Sequence, residues 1–280
     1  MTFLFLAFAL MALGWAFSRA YKNTKDVLVN KIKIGEDSSD KVLNILQLSD
    51  LHLENISISP DELYEKLKGE KIDLIALTGD FLDRKRTIPK LPPYLKALRK
   101  LNAEYGMYAV LGNHDYVLRG ENLQKLIHTL EQHGVTILRN ENRKINIKGI
   151  PVNIIGIDDF STRRSDLGSS YASVNQGVKL VLTHDPNLVL HMKEFYFDYL
   201  LSGHFHGGQI CYPKAYHLVK MGKLVRMNMI KGLHTHDGKP FYINEGLGQT
   251  GVNIRVGSRP EITLHKLSLV TEETASNPAV

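Results

Sequence analysis

The feature that most constrains this chain is a rhythm of short apolar runs, each of strand length. The runs are VLNILQLS (Val42–Ser49), IDLIALT (Ile72–Thr78), YAVLG (Tyr108–Gly112), VTIL (Val135–Leu138), VNIIGI (Val152–Ile157), VKLVLT (Val178–Thr183) and FDYLLS (Phe197–Ser202). Their length and aliphatic content suit buried strands rather than helices. Helical stretches lie between several of them. PDELYEKLK (Pro60–Lys68) opens with proline and acids, as a helix start should. PPYLKALRKL (Pro92–Leu101) and ENLQKLIHTLEQHG (Glu121–Gly134) come next, the latter closing on a glycine. Later, FYINEG, VNIRV and EITLHKLSL, within Phe241–Leu269, predict further strands. The class is therefore α/β, alternating in the first half and richer in β in the second.

Five of the runs end in polar residues. SDLH supplies Asp50 and His52, TGDFLD supplies Asp80 and Asp83, and LGNHD supplies Asn113, His114 and Asp115. THDP supplies His184, and SGHFH supplies His204 and His206. Ligand sites in α/β folds form beyond the carboxyl ends of strands, so these groups are expected to converge. Imidazole and carboxylate without thiolate suit Mn, Fe or Zn. Two ions ~3.5–4 Å apart with a bridging carboxylate need about seven protein ligands. Asp50, His52, Asp80, Asn113, His184, His204 and His206 make up that set, whereas a single zinc site would use only three or four.

Taken singly, each piece has an ordinary reading. D-x-H is a turn with a capping aspartate, G-D and G-N are common turns, and a lone His184 is a hydrogen-bonded histidine. Their joint order, each at a strand end, argues against that reading. The second H-x-H, His234 and His236, precedes Asp237-Gly238 and reads as a hairpin turn outside the site. Arg84 reads as a solvated charge. YPKAYHLVKMGKLVRMNMIKG (Tyr212–Gly232) reads either as a surface excursion or as a basic, apolar lip.

The N-terminus adds a second constraint. TFLFLAFALMALGWAFS (Thr2–Ser18) carries no charge, and Arg19, Lys22 and Lys25 lie just behind it. Such a run suits a single-pass membrane anchor, with Trp15 and Tyr21 as interfacial residues. A secretory signal would place basic residues before the run and a small-residue cleavage site after it. Basic residues behind the run place the rest of the chain on the cytoplasmic face, the exported face being the alternative. Residues 1–21 are thus the anchor and 22–40 a linker holding a possible edge strand, VLVNKIKI. Residues 41–270 form one domain and 271–280 a disordered tail. The net charge of +6 is spread along the chain, which gives no footprint for nucleic acid. The single cysteine, Cys211, excludes an internal disulfide framework.

The series D-x-H, G-D-x-x-D, G-N-H-D, T-H and G-H-x-H resembles the calcineurin-like metallophosphoesterase superfamily. GHFHGGQICYP, NEGLG and IRVGSRPEI resemble its membrane-associated bacterial YkuE/YaeI-like branch, whose relatives include UDP-2,3-diacylglucosamine hydrolases. Phe205 departs from the threonine common within GHxH, and its side chain is expected to point away from the metals. The resemblance implies a four-layer α/β/β/α sandwich. It implies that Asp50, His52 and His206 hold one ion and Asn113, His184 and His204 the other, with Asp80 bridging. Manganese is the expected ion. A metal-bridging hydroxide would cleave a phosphodiester or pyrophosphate bond, in a lipid or sugar-nucleotide lipid at the membrane. His114 would assist the leaving group, with Asp115 orienting its ring and Asp83 supporting the metal ligands. The alternatives are a phosphomonoesterase acting on soluble nucleotides and a non-catalytic membrane scaffold of the same fold. The sequence is silent on oligomeric state.

Overall fold

A computed structural model describes residues 2–35 and 41–269, so the expected tail at 271–280 lies outside the described residues. Two six-stranded sheets face each other. The first contains β1 (Leu28–Ile34), β2 (Val42–Leu48), β3 (Leu74–Thr78), β4 (Met107–Val110), β5 (Val135–Ile137) and β12 (Glu261–Ser268), in the order β1-β12-β2-β3-β4-β5. The second contains β6 (Glu141–Ile147), β7 (Ile150–Gly156), β8 (Val178–Leu182), β9 (Tyr199–Ser202), β10 (Gly232–His236) and β11 (Lys239–Ile243), in the order β10-β11-β9-β8-β7-β6. In each sheet the strands that end at the polar clusters run parallel, β2-β3-β4 in one and β8-β9 in the other. Their carboxyl ends therefore emerge together.

Strand periodicity sorts the core into layers. Leu43, Ile45, Leu74 and Ala76 point between the sheets, where they meet Ile154, Leu180 and Leu201. Leu46, Leu48, Ile75 and Leu77 point the other way, against helices α2 (Pro60–Leu67), α3 (Leu91–Arg99) and α4 (Glu121–Gln132). On the far side of the second sheet, Val181, Leu200 and Phe241 are covered by Leu188, Leu218 and Leu224. That outer layer is built from 3₁₀ turns at Pro186–His191 and Tyr216–Leu218 and two four-residue helices, α5 (Leu167–Ser170) and α6 (Lys223–Arg226). The result is a four-layer α/β/β/α sandwich. The start of α2 shows how local sequence sets an element. Ser59 and Glu62 form a reciprocal capping box ahead of Pro60.

Several elements differ from the sequence expectation. The polar strands β6 and β10 were hidden because each lies at a sheet edge, pairs on one side only and keeps exposed residues. VNIRV is not a strand. It contributes one bridge, Val256 to Ile210, and buries Arg255 completely. The second H-x-H lies in β10 rather than in a turn, while Asp237 and Gly238, both at positive φ, make the two-residue hairpin to β11. Leu28–Ile34 pairs along its whole length with β12, so the sheet begins well before residue 41.

Helix α1 (Thr2–Asn23) projects apolar side chains outward along its length and buries Ala20 at its end. It is long and apolar enough to cross a membrane. Its carboxyl end is docked on the body. Ala20 O accepts from the Arg255 amide at 2.9 Å, Asn23 Nδ2 donates to Arg255 O at 2.9 Å, and Asp26 pairs with Arg259.

Candidate metal centre

The polar residues behind β2, β3, β4, β8 and β9 come together where the two sheets' carboxyl ends meet. Carboxylate and imidazole atoms of Asp50, His52 and His206 lie within 4.8 Å of one another, as do those of Asp80, His184 and His204. His184 Nε2 is 3.1 Å from Asp80 Oδ2 and 3.1 Å from His204 Nδ1. His52 Nε2 lies 3.6 Å from the same Asp80 oxygen, so Asp80 stands between the two groups. His206 Nε2 is 3.3 Å from Asp50 Oδ1.

The backbone is bent to achieve this. Asp50, His52, Asp80, His204 and His206 have φ of 49°, 34°, 55°, 75° and 51°. A non-glycine residue held in this left-handed region costs ~1–3 kcal/mol and persists only where its surroundings over-determine it. Two glycines permit the close approach. A Cβ at Gly112 would sit 2.2 Å from Asp80 Oδ1, and one at Gly203 would sit 2.2 Å from Asp50 Oδ2.

The donor set fits divalent cations. His184 Nδ1 faces Thr78 O at 2.8 Å, His52 Nδ1 faces Asp83 Oδ1 at 2.9 Å, and His206 Nδ1 faces Gly248 O at 3.3 Å. Each acceptor fixes the ring's proton on Nδ1 and leaves Nε2 a bare lone pair, the arrangement typical of metal-ligating histidines. Those lone pairs then face carboxylates, which are acceptors too. His52 Nε2 and Asn113 Oδ1 are buried without a hydrogen-bond partner. Such a convergence of acceptors needs positive charge at its centre. Burial pulls His184 down, but the Asp80 carboxylate beside it outweighs burial and holds its pKa well above the usual imidazole value. Burial pushes Asp80 up, but His184 and His52 outweigh it and hold it below the usual carboxylate range. Burial drives His206 down to about 3.

His114 sits at the rim, partly exposed, with Nδ1 3.1 Å from Asp83 Oδ1. Burial would lower it, but the bond to Asp83 and the charge of Asp80 raise its pKa to about 9. Asp83 thus touches both His52 and His114. The sequence assigns Asp115 the task of orienting His114, and the structure corrects this. Asp115 is fully buried and accepts from the amides of Asp80 (2.9 Å), Phe81 (2.8 Å) and Gly112 (2.9 Å). Its side chain turns inward, under the loops. Burial and the Asp80 charge push its carboxyl up to about 7.

Arg255 is a residue that motif reasoning missed. Its guanidinium is fully buried and donates to the carbonyls of His206, Glu245, Gly246, Gly248 and Arg259 at 2.7–3.2 Å. Burial lowers its pKa to about 10, still far above neutrality. Gly248 O, gripped at 2.7 Å, is also the acceptor for the His206 ring. The one local signal was an arginine inside an apolar run.

The centre opens into a cleft of about 390 Å³. Asp80, Asn113, His204 and His206 form its floor, while Phe205, Ile210, Leu218, Met221 and Val252 form an apolar wall. Phe205 packs into the outer core of the second sheet with its ring centroid 5.4 Å from that of His204, so it borders the centre rather than turning fully away. Arg84 is exposed, and His234 and His236 fall outside every candidate metal group among the described residues.

Comparison with known proteins agrees with this geometry. An uncharacterized metallophosphoesterase, YkoQ of Bacillus subtilis, is 65% identical over 252 residues, covering 89% of this chain and 93% of its own. YkuE of the same organism is 31% identical over 229 residues, 80% of this chain and 78% of its own. LpxG of Chlamydia trachomatis, a UDP-2,3-diacylglucosamine pyrophosphatase, is 28% identical over 278 residues, covering 79% of this chain and 82% of its own. Among solved structures, a phosphopantetheinyl hydrolase of Mycobacterium tuberculosis superposes with a TM-score of 0.47 at 12% identity, over 73% of this chain and 89% of its own. The profile of the calcineurin-like phosphoesterases matches residues 43–208, more than half of the chain and every residue gathered at the centre from Asp50 to His206. A sandwich whose strand ends pool imidazoles and carboxylates at one centre, matched along that span, places the chain in the calcineurin-like phosphoesterase family of metal-dependent hydrolases.

Proposed function

We propose that the chain hydrolyses a phosphodiester or pyrophosphate bond in an amphiphilic substrate at a membrane surface. Asp50, His52 and His206 hold one divalent ion and Asn113, His184 and His204 the other, with Asp80 shared and manganese the first candidate. The observation that carries this reading is the set of bare, buried acceptors, His52 Nε2 and Asn113 Oδ1 above all, aimed at a common centre. Divalent ions there supply Lewis acidity and activate water at neutral pH. The chain's own groups do the rest. His114 sits at the rim against Asp83 and holds a proton for the leaving oxygen or stabilises charge on the phosphoryl group. Asp83 fixes the tautomers of His52 and His114 together.

The apolar wall of the cleft favours a substrate with an apolar substituent. Helix α1, docked through Arg255 on the loops of the centre, serves as a single-pass anchor, and Arg19, Lys22 and Lys25 behind it favour the cytoplasmic face. The activity in LpxG's name is consistent with a lipid-linked pyrophosphate.

The test compares bis-p-nitrophenyl phosphate with p-nitrophenyl phosphate, using the full chain in detergent, stripped of metal and resupplied with Mn²⁺. Diester cleavage, two ions bound per chain, and loss of both in Asn113→Ala and His206→Ala are expected. Preference for the monoester would overturn the diesterase reading. Failure to bind metal would overturn the centre itself.

A further inference from the structure

Asn113 borders a further cavity besides the apolar cleft. The second, about 590 Å³, opens on the other side of this residue and is lined by Tyr116, Arg119, Leu123, Thr162 and Arg164. The two differ in charge. No lysine or arginine lines the apolar cleft, and no acid lines the second cavity. Arg119 and Arg164 are exposed and form no ion pair among the described residues, so both guanidinium groups keep their donors available.

Arg164 is nonetheless held in place. Its guanidinium carbon lies 4.1 Å from the centroid of the Tyr116 ring, a stacking geometry that orients the planar fork. The Tyr116 hydroxyl donates to Asp158, 2.6 and 2.7 Å from its two oxygens, and Arg139 occupies the same carboxylate at 3.4 Å. The carboxylate bonded to the stacked tyrosine is thereby already engaged. A basic cleft elsewhere, with Arg84, Arg86 and Lys90, makes a useful contrast. It contains the Glu54 carboxylate and borders none of the seven residues gathered around Asp80 and Asp50.

We propose that the Arg119–Arg164 cavity binds a second phosphate of the substrate, next to the phosphorus under attack. Phosphorus held at Asn113 then has an apolar substituent on the Phe205–Val252 side and an anionic one on the Arg164 side. Planar guanidinium groups match phosphate oxygens two at a time, which suits a pyrophosphate better than a simple diester. The assignment rests on the phosphoesterase reading above and narrows its substrate to a pyrophosphate-linked amphiphile.

The experiment uses full-length protein loaded with Mn²⁺ and two probes differing by one phosphate, the p-nitrophenyl esters of thymidine 5′-monophosphate and thymidine 5′-diphosphate. Arg119→Ala and Arg164→Ala should each raise KM for the diphosphate ester about tenfold relative to the monophosphate ester, the scale of one charge-assisted hydrogen bond. Arg164→Lys should recover part of the loss, and Arg86→Ala, in the other basic cleft, should not reproduce it. Calorimetric titration with thymidine 5′-monophosphate and 5′-diphosphate tracks the same variants without needing turnover. Tighter binding of the diphosphate in the parent protein, reduced in both alanine variants, supports the subsite even if neither ester is cleaved, in which case the hydrolase reading alone falls. Equal effects on both probes, or none, would overturn the subsite whatever the turnover.

Discussion

The loops of the first sheet and those of the second meet at one centre, yet they are braced by opposite charges. On the first side the buried Asp115 carboxylate gathers amide N–H groups from Asp80, Phe81 and Gly112. On the second side the buried Arg255 guanidinium gathers five carbonyls from His206 and the 245–259 segment. Left-handed backbone at Gly79 and Asp80 after β3, at His204 and His206 after β9, and at Gly246 after β11 bends the chain where these N–H and C=O groups collect. Each set, buried away from water, needs a partner. The lesson is that orphaned backbone polarity, rather than the metal chemistry, decides which charged side chain lies under a loop.

Arg255→Met should break the second brace and give the largest effect. It leaves several buried carbonyls short of a donor, and each one left unsatisfied costs ~1–3 kcal/mol. Urea unfolding of the variant should show this loss, and a midpoint unchanged from the parent would mean that water replaces the guanidinium. Asp115→Asn should cost less, ~1–3 kcal/mol, because the amide keeps one acceptor and turns a donor toward the remaining N–H groups. Its metal affinity, measured by calorimetry, should fall ~10–100-fold, as for other residues that orient metal-bearing loops. Intact affinity would show that the first brace is structural only.

The third test concerns pH in metal-free protein. His114 titrates at about 9 against an ordinary value of 6.5. Because the folded value is the higher, its contribution to stability is full below pH 6.5 and is lost as pH rises through 9. Asp83→Asn should return the His114 imidazole resonance in NMR toward the ordinary value and flatten that stability profile. A pKa still near 9 would transfer the cause to Asp80. The smallest effect belongs to His236→Ala. Metal content and diester turnover should stay within about twofold, and stability within ~0.5 kcal/mol, as for partly exposed edge-strand positions away from special features. A lost ion would place β10 at the centre.

Most of the strands, and the residues that gather at the centre, were legible because aliphatic runs and polar strand ends leave local signatures. GHFH could be told from HTH because the first follows an aliphatic run, whereas the second precedes the Asp237-Gly238 hairpin signal. The edge strands β6 and β10 were not legible, since pairing on one side leaves their residues polar and their alternation weak. Asp115 was noticed but misassigned, for adjacency to His114 says nothing about which side of the turn its carboxyl enters. Arg255 lies 49 residues beyond His206, and a side chain that grips carbonyls has no spacing rule to betray it. Such residues announce themselves only in three dimensions.

The docking of α1 has a mechanical meaning. A catalytic body tied to its helix by slack chain would swing freely and sample every bearing. Here Ala20 and Asn23 bond to the main chain of Arg255, whose side chain in turn holds the His206 carbonyl. One residue therefore serves as both mounting bolt and bench. Whatever plane α1 is fixed in becomes the datum from which the mouth of the cleft takes its height and aim.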